Sequence, residues 1–248
     1  MTLKDFFTAN PKVAIAFSGG VDSAFLLYKA VQHAEKVTAY YVKSQFQPQF
    51  ELDDAVRFAK EIGAELKIIK ADVLSSAEIC SNPANRCYYC KNLIFSTILQ
   101  SAGADGYEII LDGTNASDDI NDRPGFKALQ ELEVKSPLRE CNLTKQQIRS
   151  LSLEAGLFTH DKPAYACLAT RIKTGETITA EKLIKTEKAE NYLFSLGFTD
   201  FRVRMVGDTA KIQVKLNDYS KALEKMEEIK TEFSKYYSYV ILDEEVQR

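Results

Sequence analysis

Val13-Ala14-Ile15-Ala16-Phe17-Ser18-Gly19-Gly20-Val21-Asp22-Ser23-Ala24-Phe25-Leu26-Leu27-Tyr28-Lys29-Ala30-Val31 is the stretch that decides how the rest of the chain is read. Residues 13–17 form a short apolar run of strand formers closed by a glycine pair, which predicts a buried strand. Residues 24–31 have helical spacing with no Gly or Pro inside, which predicts a helix directly after the turn. Gly19 and Gly20 admit φ values that a side chain forbids and let a ligand approach the backbone. A helix that starts in such a turn points unpaired N–H groups and its positive dipole end outward, and that suits a polyphosphate. Ser18 and Ser23 add hydroxyl donors, Val21 adds a backbone N–H within the turn, and Asp22 stands ready to hold the Mg²⁺ that accompanies a nucleotide.

The Walker turn requires Gly-x-x-x-x-Gly-Lys-Ser/Thr, and residues 18–23 contain no lysine. The hexapeptide Ser18-Gly19-Gly20-Val21-Asp22-Ser23 instead resembles the PP-loop of the ATP pyrophosphatases in all six residues and in its place after an early strand. The resemblance implies that ATP is held by its β,γ-pyrophosphate and cut between α and β. The plain alternative is an ordinary Gly-Gly turn.

A chain of 248 residues, 45% of them apolar, can bury a sizeable core as one large domain or two smaller ones. No apolar run approaches the ~20 residues that span a bilayer, and Met1-Thr2-Leu3-Lys4-Asp5 is no signal peptide. Five unevenly spaced cysteines do not form a secreted disulfide frame, so a cytoplasmic location is expected. Net charge is −3, which argues against a large nucleic-acid footprint.

Along the chain, strands are predicted over 37–42, 66–69 and 107–112, and helices over 50–62 and 88–99. Strands alternating with helices imply βαβ units and a parallel, doubly wound α/β sheet, with ligands beyond the C-terminal strand ends. Both the 18–23 turn and the Gly113-Thr114-Asn115 turn fall there. Thr144 to Ala155 reads as a helix with Thr144 as N-cap and Gly156 as stop. A loop of about twenty residues follows to Thr177, long enough to suggest a function. From Thr179 the pattern changes to helix, hairpin around Gly207-Asp208, helix over 217–233 and strand over 237–242. This predicts a second, small α+β domain, with the division at 1–170 and 171–248. Residues 171–248 hold 14 basic and 14 acidic residues, so this domain is neutral.

Cys87-Tyr88-Tyr89-Cys90 is a C-x-x-C, which by itself fits half a zinc site, a redox dithiol or part of an iron–sulfur site. A second C-x-x-C is missing, and Cys80, Cys141, Cys167, His33 and His160 are the remaining soft ligands. Cys167 lies in the long loop. Three thiolates suffice for three corners of a [4Fe-4S] cube. Three merely buried small residues are the alternative, and that is the preferred reading of Cys80 and Cys141.

Taken together, the PP-loop, Asn85-Arg86-Cys87-Tyr88-Tyr89-Cys90-Lys91, Asp112-Gly113-Thr114-Asn115-Ala116-Ser117-Asp118, Asp122-Arg123-Pro124-Gly125, Ser136-Pro137-Leu138 and Cys167-Leu168-Ala169-Thr170-Arg171 resemble the LarE family over nearly the whole chain. The resemblance implies an ATP- and Mg²⁺-dependent sulfur transferase of nickel-pincer nucleotide synthesis. It would adenylate the carboxylates of a pyridinium biscarboxylate mononucleotide and convert them to thiocarboxylates. Family members take sulfur either from one sacrificed cysteine, here Cys167, or through a [4Fe-4S] cluster on three cysteines, here Cys87, Cys90 and Cys167. The three thiols make the cluster type the expectation. Mg²⁺ on Asp22, together with Arg123, would offset the charge of the departing pyrophosphate, Gly113, Thr114 and Asn115 would flank the nucleotide, and Arg171 would favour the Cys167 thiolate. Arg171, Glu190, Arg202 and Arg204 match charged positions around substrate and phosphate, with a solvated charged face as the alternative. Arg248 is a looser match, and Gln213 stands where an acid is expected. A homo-oligomer acting on a small nucleotide, with no nucleic acid or membrane partner, completes the expectation. A tRNA thiolase, an amidating ligase that needs no cysteine, and a non-catalytic nucleotide sensor are the rivals.

Overall fold

The computed structural model describes residues 1–119 and 124–243. They divide into two compact units, one of Met1–Val73 with Asn85–Tyr165 and one of Leu74–Ala84 with the chain from Ala166 onward.

The first unit opens with a helix the sequence reading passed over, α1 (Leu3–Ala9), started by a Thr2/Asp5 capping box. Then follow β1 (Lys12–Ala16), α2 (Val21–His33), β2 (Lys36–Lys43), α3 (Gln49–Glu61) and β3 (Glu65–Lys70). After the excursion into the second unit come α4 (Arg86–Ala104), β4 (Ile110–Leu111), α5 (Pro124–Glu131), a one-turn helix Pro137–Glu140 and α6 (Lys145–Glu154). All pairings are parallel, in the order β3-β2-β1-β4. Side chains alternate across a strand, and both faces are buried. Val13 and Ile15 of β1 and Ala39 and Tyr41 of β2 enter one apolar cluster with α1, α2 and α3. Ala14, Tyr40 and Val42 enter another with Ile98, Ala102 and Ile110. The sheet is therefore doubly wound, as expected.

The fourth strand is shorter than the predicted 107–112. Only Ile110 and Leu111 pair with β1, because the chain is still leaving α4. Gly106 takes φ +77, Tyr107 N–H returns to the Ala102 carbonyl at 2.8 Å, and the Tyr107 hydroxyl is tied to Thr38 at 2.6 Å.

The second unit holds α7 (Ala180–Ser195), β5 (Phe201–Val206), β6 (Thr209–Val214), α8 (Tyr219–Glu224), α9 (Met226–Phe233) and β7 (Tyr239–Leu242). The predicted hairpin forms between β5 and β6 across Gly207 at φ +58, and β7 joins β6 in parallel. The single helix predicted over 217–233 is instead a 3₁₀ turn, Leu216–Asp218, followed by two helices that meet at Lys225 (φ −92, ψ 3). Residues 74–84 belong here through backbone bonds from Gly175 to Asn82 and from Ile178 to Cys80, each 2.8 Å. The Asn82 amide also donates to the carbonyls of Ile172 and Lys173. Among the described residues no helix is long and apolar enough to cross a membrane.

Candidate functional site

In the first unit the six-residue loop is built as its sequence suggests. Gly19 has φ +74, which L side chains rarely adopt. A Cβ on it would also lie 3.3 Å from the Glu51 carbonyl oxygen. Gly20 is the N-cap of α2 and offers no side-chain cap, so the first N–H groups of a 13-residue helix are left to face a ligand. The two serines brace the turn. Their hydroxyl oxygens lie 3.0 Å apart, Ser18 N–H and Gly20 N–H donate to the Ser23 and Ser18 hydroxyls, and Ser23 Oγ donates to the Gly20 carbonyl at 3.1 Å.

The second predicted turn packs directly on this one. A Cβ at Gly113 would sit 2.9 Å from Ser23 N and 3.2 Å from Ser23 Cα, so only glycine lets the two segments approach this closely. Thr114 turns its hydroxyl to Asp112, which also accepts from Ser136 Oγ at 2.6 Å. Asn115, 3% exposed, donates to Asp22 Oδ1 at 3.3 Å. Asp118 and Arg139 hold the turn's backbone.

Two lysines that the sequence reading did not single out flank the loop. Lys145 Nζ lies 2.5 Å from Asp22 Oδ2. Lys162 Nζ lies 2.6 Å from Asp54 Oδ2 and 3.4 Å from the Gly19 carbonyl oxygen. The sequence held a signal for Lys145: it is the first residue of α6, where the helix dipole disfavours a cation. The Asp22 carboxylate at the mouth of the loop fits Mg²⁺, which is commonly bound through one or two carboxylates plus substrate phosphates. Arg123 lies outside the described residues.

Cys87 and Cys90 are the second and fifth residues of α4, three residues apart and so on one face. Cys87 is exposed and Cys90 half-buried. Two thiols in that register suit two corners of a metal centre. Among the described residues no group of three or more His, Cys, Asp or Glu is gathered as a metal site. Cys141 packs against the first apolar cluster, where burial pushes its thiol up, as expected of a structural cysteine. Cys80 donates to the Leu74 carbonyl.

In the second unit Cys167 heads a one-turn 3₁₀ helix, Leu168–Arg171. Thr170 closes that turn with N–H and hydroxyl bonds to the Cys167 carbonyl, 2.9 and 2.8 Å. Arg171 and Glu190 form a two-pronged ion pair of 2.6 and 3.2 Å, each side chain 1% exposed. Arg171 also donates to the Ala166 carbonyl and the Thr170 hydroxyl, and Glu190 accepts from Val203 N–H at 3.0 Å. The pair thus grips the Cys167 turn and ties it to α7 and β5. Arg202, 9% exposed, donates to the Phe201 carbonyl and faces Asp200 at 3.6 Å. Arg204 is exposed and bonds Gln213 Oε1 at 2.6 Å and the Thr170 carbonyl at 3.1 Å. Gln213 passes the contact to Asp243, 2.7 Å away, which also pairs with Lys211. Asp243 stands just after β7, and its carboxylate accepts the Gln213 amide. Arg248 lies outside the described residues.

Residues 12–85 match the profile of the queuosine biosynthesis protein QueC family. An uncharacterized protein of Synechocystis is 38% identical over 216 residues, 86% of this chain and 80% of that protein. The pyridinium-3,5-bisthiocarboxylic acid mononucleotide synthase of Lactiplantibacillus plantarum is 35% identical over 205 residues, covering 82% of this chain and 74% of the synthase. A tRNA-specific 2-thiouridylase MnmA of Pseudothermotoga lettingae is 27% identical over 188 residues, 61% of this chain. With its uncapped glycine loop on a parallel α/β sheet and this extent of identity to the synthase, the chain belongs to the LarE family of ATP-dependent sulfur transferases.

Proposed function

We propose that the protein activates the carboxylates of pyridinium-3,5-biscarboxylate mononucleotide with ATP and converts them to thiocarboxylates. The observation that carries this reading is the loop at the head of α2: a helix start with no side-chain cap, beside two hydroxyls and one carboxylate. A carboxylate is a poor electrophile because its leaving group would be oxide. Attack of its oxygen on the α-phosphorus breaks the bond to the β-phosphate and releases pyrophosphate, leaving a mixed anhydride. A sulfur nucleophile then forms the C–S bond as AMP departs. The chain's part is to hold the reacting atoms in line and to offset charge on the leaving phosphates through N–H groups of residues 19–23. Asp22 would hold the Mg²⁺, and Arg202 and Arg204 are the proposed phosphate contacts of the substrate.

For sulfur we propose the three-thiol type, with Cys87, Cys90 and Cys167 as ligands of a [4Fe-4S] cluster that supplies sulfide when bound. The C-x-x-C register on α4 and the rigid setting of Cys167 support it. A cytoplasmic homo-oligomer completes the reading.

ATP–pyrophosphate exchange tests the first half. Exchange should require the biscarboxylate nucleotide and fall by about 100-fold or more in Asp22→Asn; no exchange with that carboxylate would sink the reading. Anaerobic reconstitution with iron and sulfide tests the second half. Cubane absorption in the parent, lost in Cys87→Ala, is expected, whereas an iron-free parent that loses sulfur from Cys167 during turnover would assign the donor to Cys167 itself.

A further inference from the structure

Three helices of the first unit end around one cleft. α2 ends at His33, α3 at Glu61 and α6 at Glu154. The cleft, about 390 Å³, is lined by Tyr28, Val31 and Gln32 of α2, by Phe58 and Glu61 of α3 and by Leu157 just after α6, and a volume in this range suits a small organic ligand. It stands at the far end of α2 from the glycine loop, and a 13-residue helix spans roughly 20 Å. Each helix C-terminus carries the equivalent of roughly half a negative charge and leaves its last carbonyls without intrahelical partners. Two of the three helices also close on a carboxylate, Glu61 and Glu154, the charge that a C-terminus disfavours. α6 has no basic residue in its last turn. His33 and Lys60, the basic residues in the last turns of α2 and α3, are not part of the lining. Two other cations of the chain touch lining residues. Arg57 bonds Glu61 at 2.7 Å in a pair that is 60% and 48% exposed, and its guanidinium lies 4.2 Å from the Phe158 ring centre. Lys29 reaches Gln32 Oε1 at 3.2 Å and lies over the Tyr28 ring.

We propose that this cleft is a binding site for a small amine borne on a flat apolar ring. The ring packs among Tyr28, Val31, Phe58 and Leu157, and the ammonium turns toward Glu61 and the last carbonyls of the three helices. Charge complementarity selects the cation. An anion would meet three negative helix ends and a carboxylate, whereas a neutral ring would gain only its buried apolar area. The aromatic lining adds to the preference, because the quadrupole of a Tyr or Phe ring attracts a cation. The Arg57–Glu61 pair is no barrier to this. A pair open to water at both ends contributes little, and a carboxylate accepts from several donors. Val31 leaves 36% of its surface in water, and the ring covers that apolar surface. The site requires nothing of the sulfur-transfer chemistry proposed above.

The test uses three indole compounds of similar shape and different charge: tryptamine, tryptophol and indole-3-acetate. The chain has no tryptophan, so indole emission excited beyond the tyrosine band reports the ligand alone, and its anisotropy rises on binding. Tryptamine should bind the full chain at least about tenfold more tightly than tryptophol, with indole-3-acetate weaker still. Glu61→Gln should weaken tryptamine by about three- to tenfold and leave tryptophol within about twofold. Val31→Lys, at a partly exposed position, sets a competing ammonium in the cleft and should weaken tryptamine by more than about tenfold. If Val31→Lys does not fold, Glu61→Gln carries the test alone. Saturating ATP with Mg²⁺ should change tryptamine affinity by less than about twofold, because the loop and the cleft lie at opposite ends of α2. Equal affinity for the three compounds would overturn the proposal, as would an unchanged tryptamine affinity in either folded variant or no tryptamine binding up to about 1 mM. Displacement of tryptamine by ATP would place the indole in the nucleotide site and overturn it as well.

Discussion

Gly113 shows how much one missing methyl group decides. The sequence reading placed it in a turn beside the nucleotide, and the structure adds that a Cβ there would come within 2.9 Å of the Ser23 nitrogen, in the first turn of α2. No flexible side chain stands at that contact; the atoms it would meet are backbone atoms of Asp22 and Ser23. Gly113→Ala should therefore push the loop out of shape, at the cost typical of overpacking, about 1–3 kcal/mol. In calorimetry we expect ATP affinity to fall about tenfold; unchanged affinity would show that the loop tolerates the displacement. Residues 18–23 were legible because their chemistry is local, with strand, glycines and helix following one another within a dozen positions. Lys145 and Lys162 were not, because each meets the loop only through the packing of helices and turns more than 100 residues apart in sequence.

Among elements, the turn Leu168–Arg171 is the most constrained by a single interaction. Arg171 and Glu190 are among the charged residues expected around substrate and phosphate, and the structure places them 1% exposed against each other. Two fully desolvated charges are tolerated inside only when they are paired and hydrogen-bonded, and here the carboxylate also receives Val203 N–H. Glu190→Gln leaves a guanidinium buried without its counter-charge. Urea denaturation should show a loss of roughly 3–5 kcal/mol, with the Cys167 turn loosened. A loss under about 1 kcal/mol would mean that the pair adds no more than an exposed one would. Element boundaries were legible where capping chemistry is strong, as at Thr144, whose side chain accepts from Gln147 N–H. They were misread at residues 107–109 and at Lys225, where the departure from regular structure is imposed by neighbouring packing or by a backbone turn that no Gly or Pro announces.

At the scale of the molecule, charge separates the main reading from its macromolecular rival. The chain carries net −3, and residues 171–248 balance 14 basic with 14 acidic side chains. Phosphate-backbone binding rests on released counterions and needs a surplus of cations. Excess tRNA should leave ATP–pyrophosphate exchange with the small carboxylate unaltered at about 150 mM salt. Tight, steeply salt-dependent tRNA binding in a filter assay would favour the thiouridylase-like alternative that the 27% identity raises.

What the sequence by itself determined is the alternation of strands and helices in the parallel sheet, the glycine loop and its polarity, and the change of pattern near Thr179, because each is written in residues that are neighbours along the chain. Only the tertiary structure decided which distant side chains serve that loop, that residues 74–84 leave the first unit for the second, and that Arg171 is locked to Glu190. These outcomes depend on which surfaces packing brings within hydrogen-bonding distance, and a linear pattern of residue types carries no record of that.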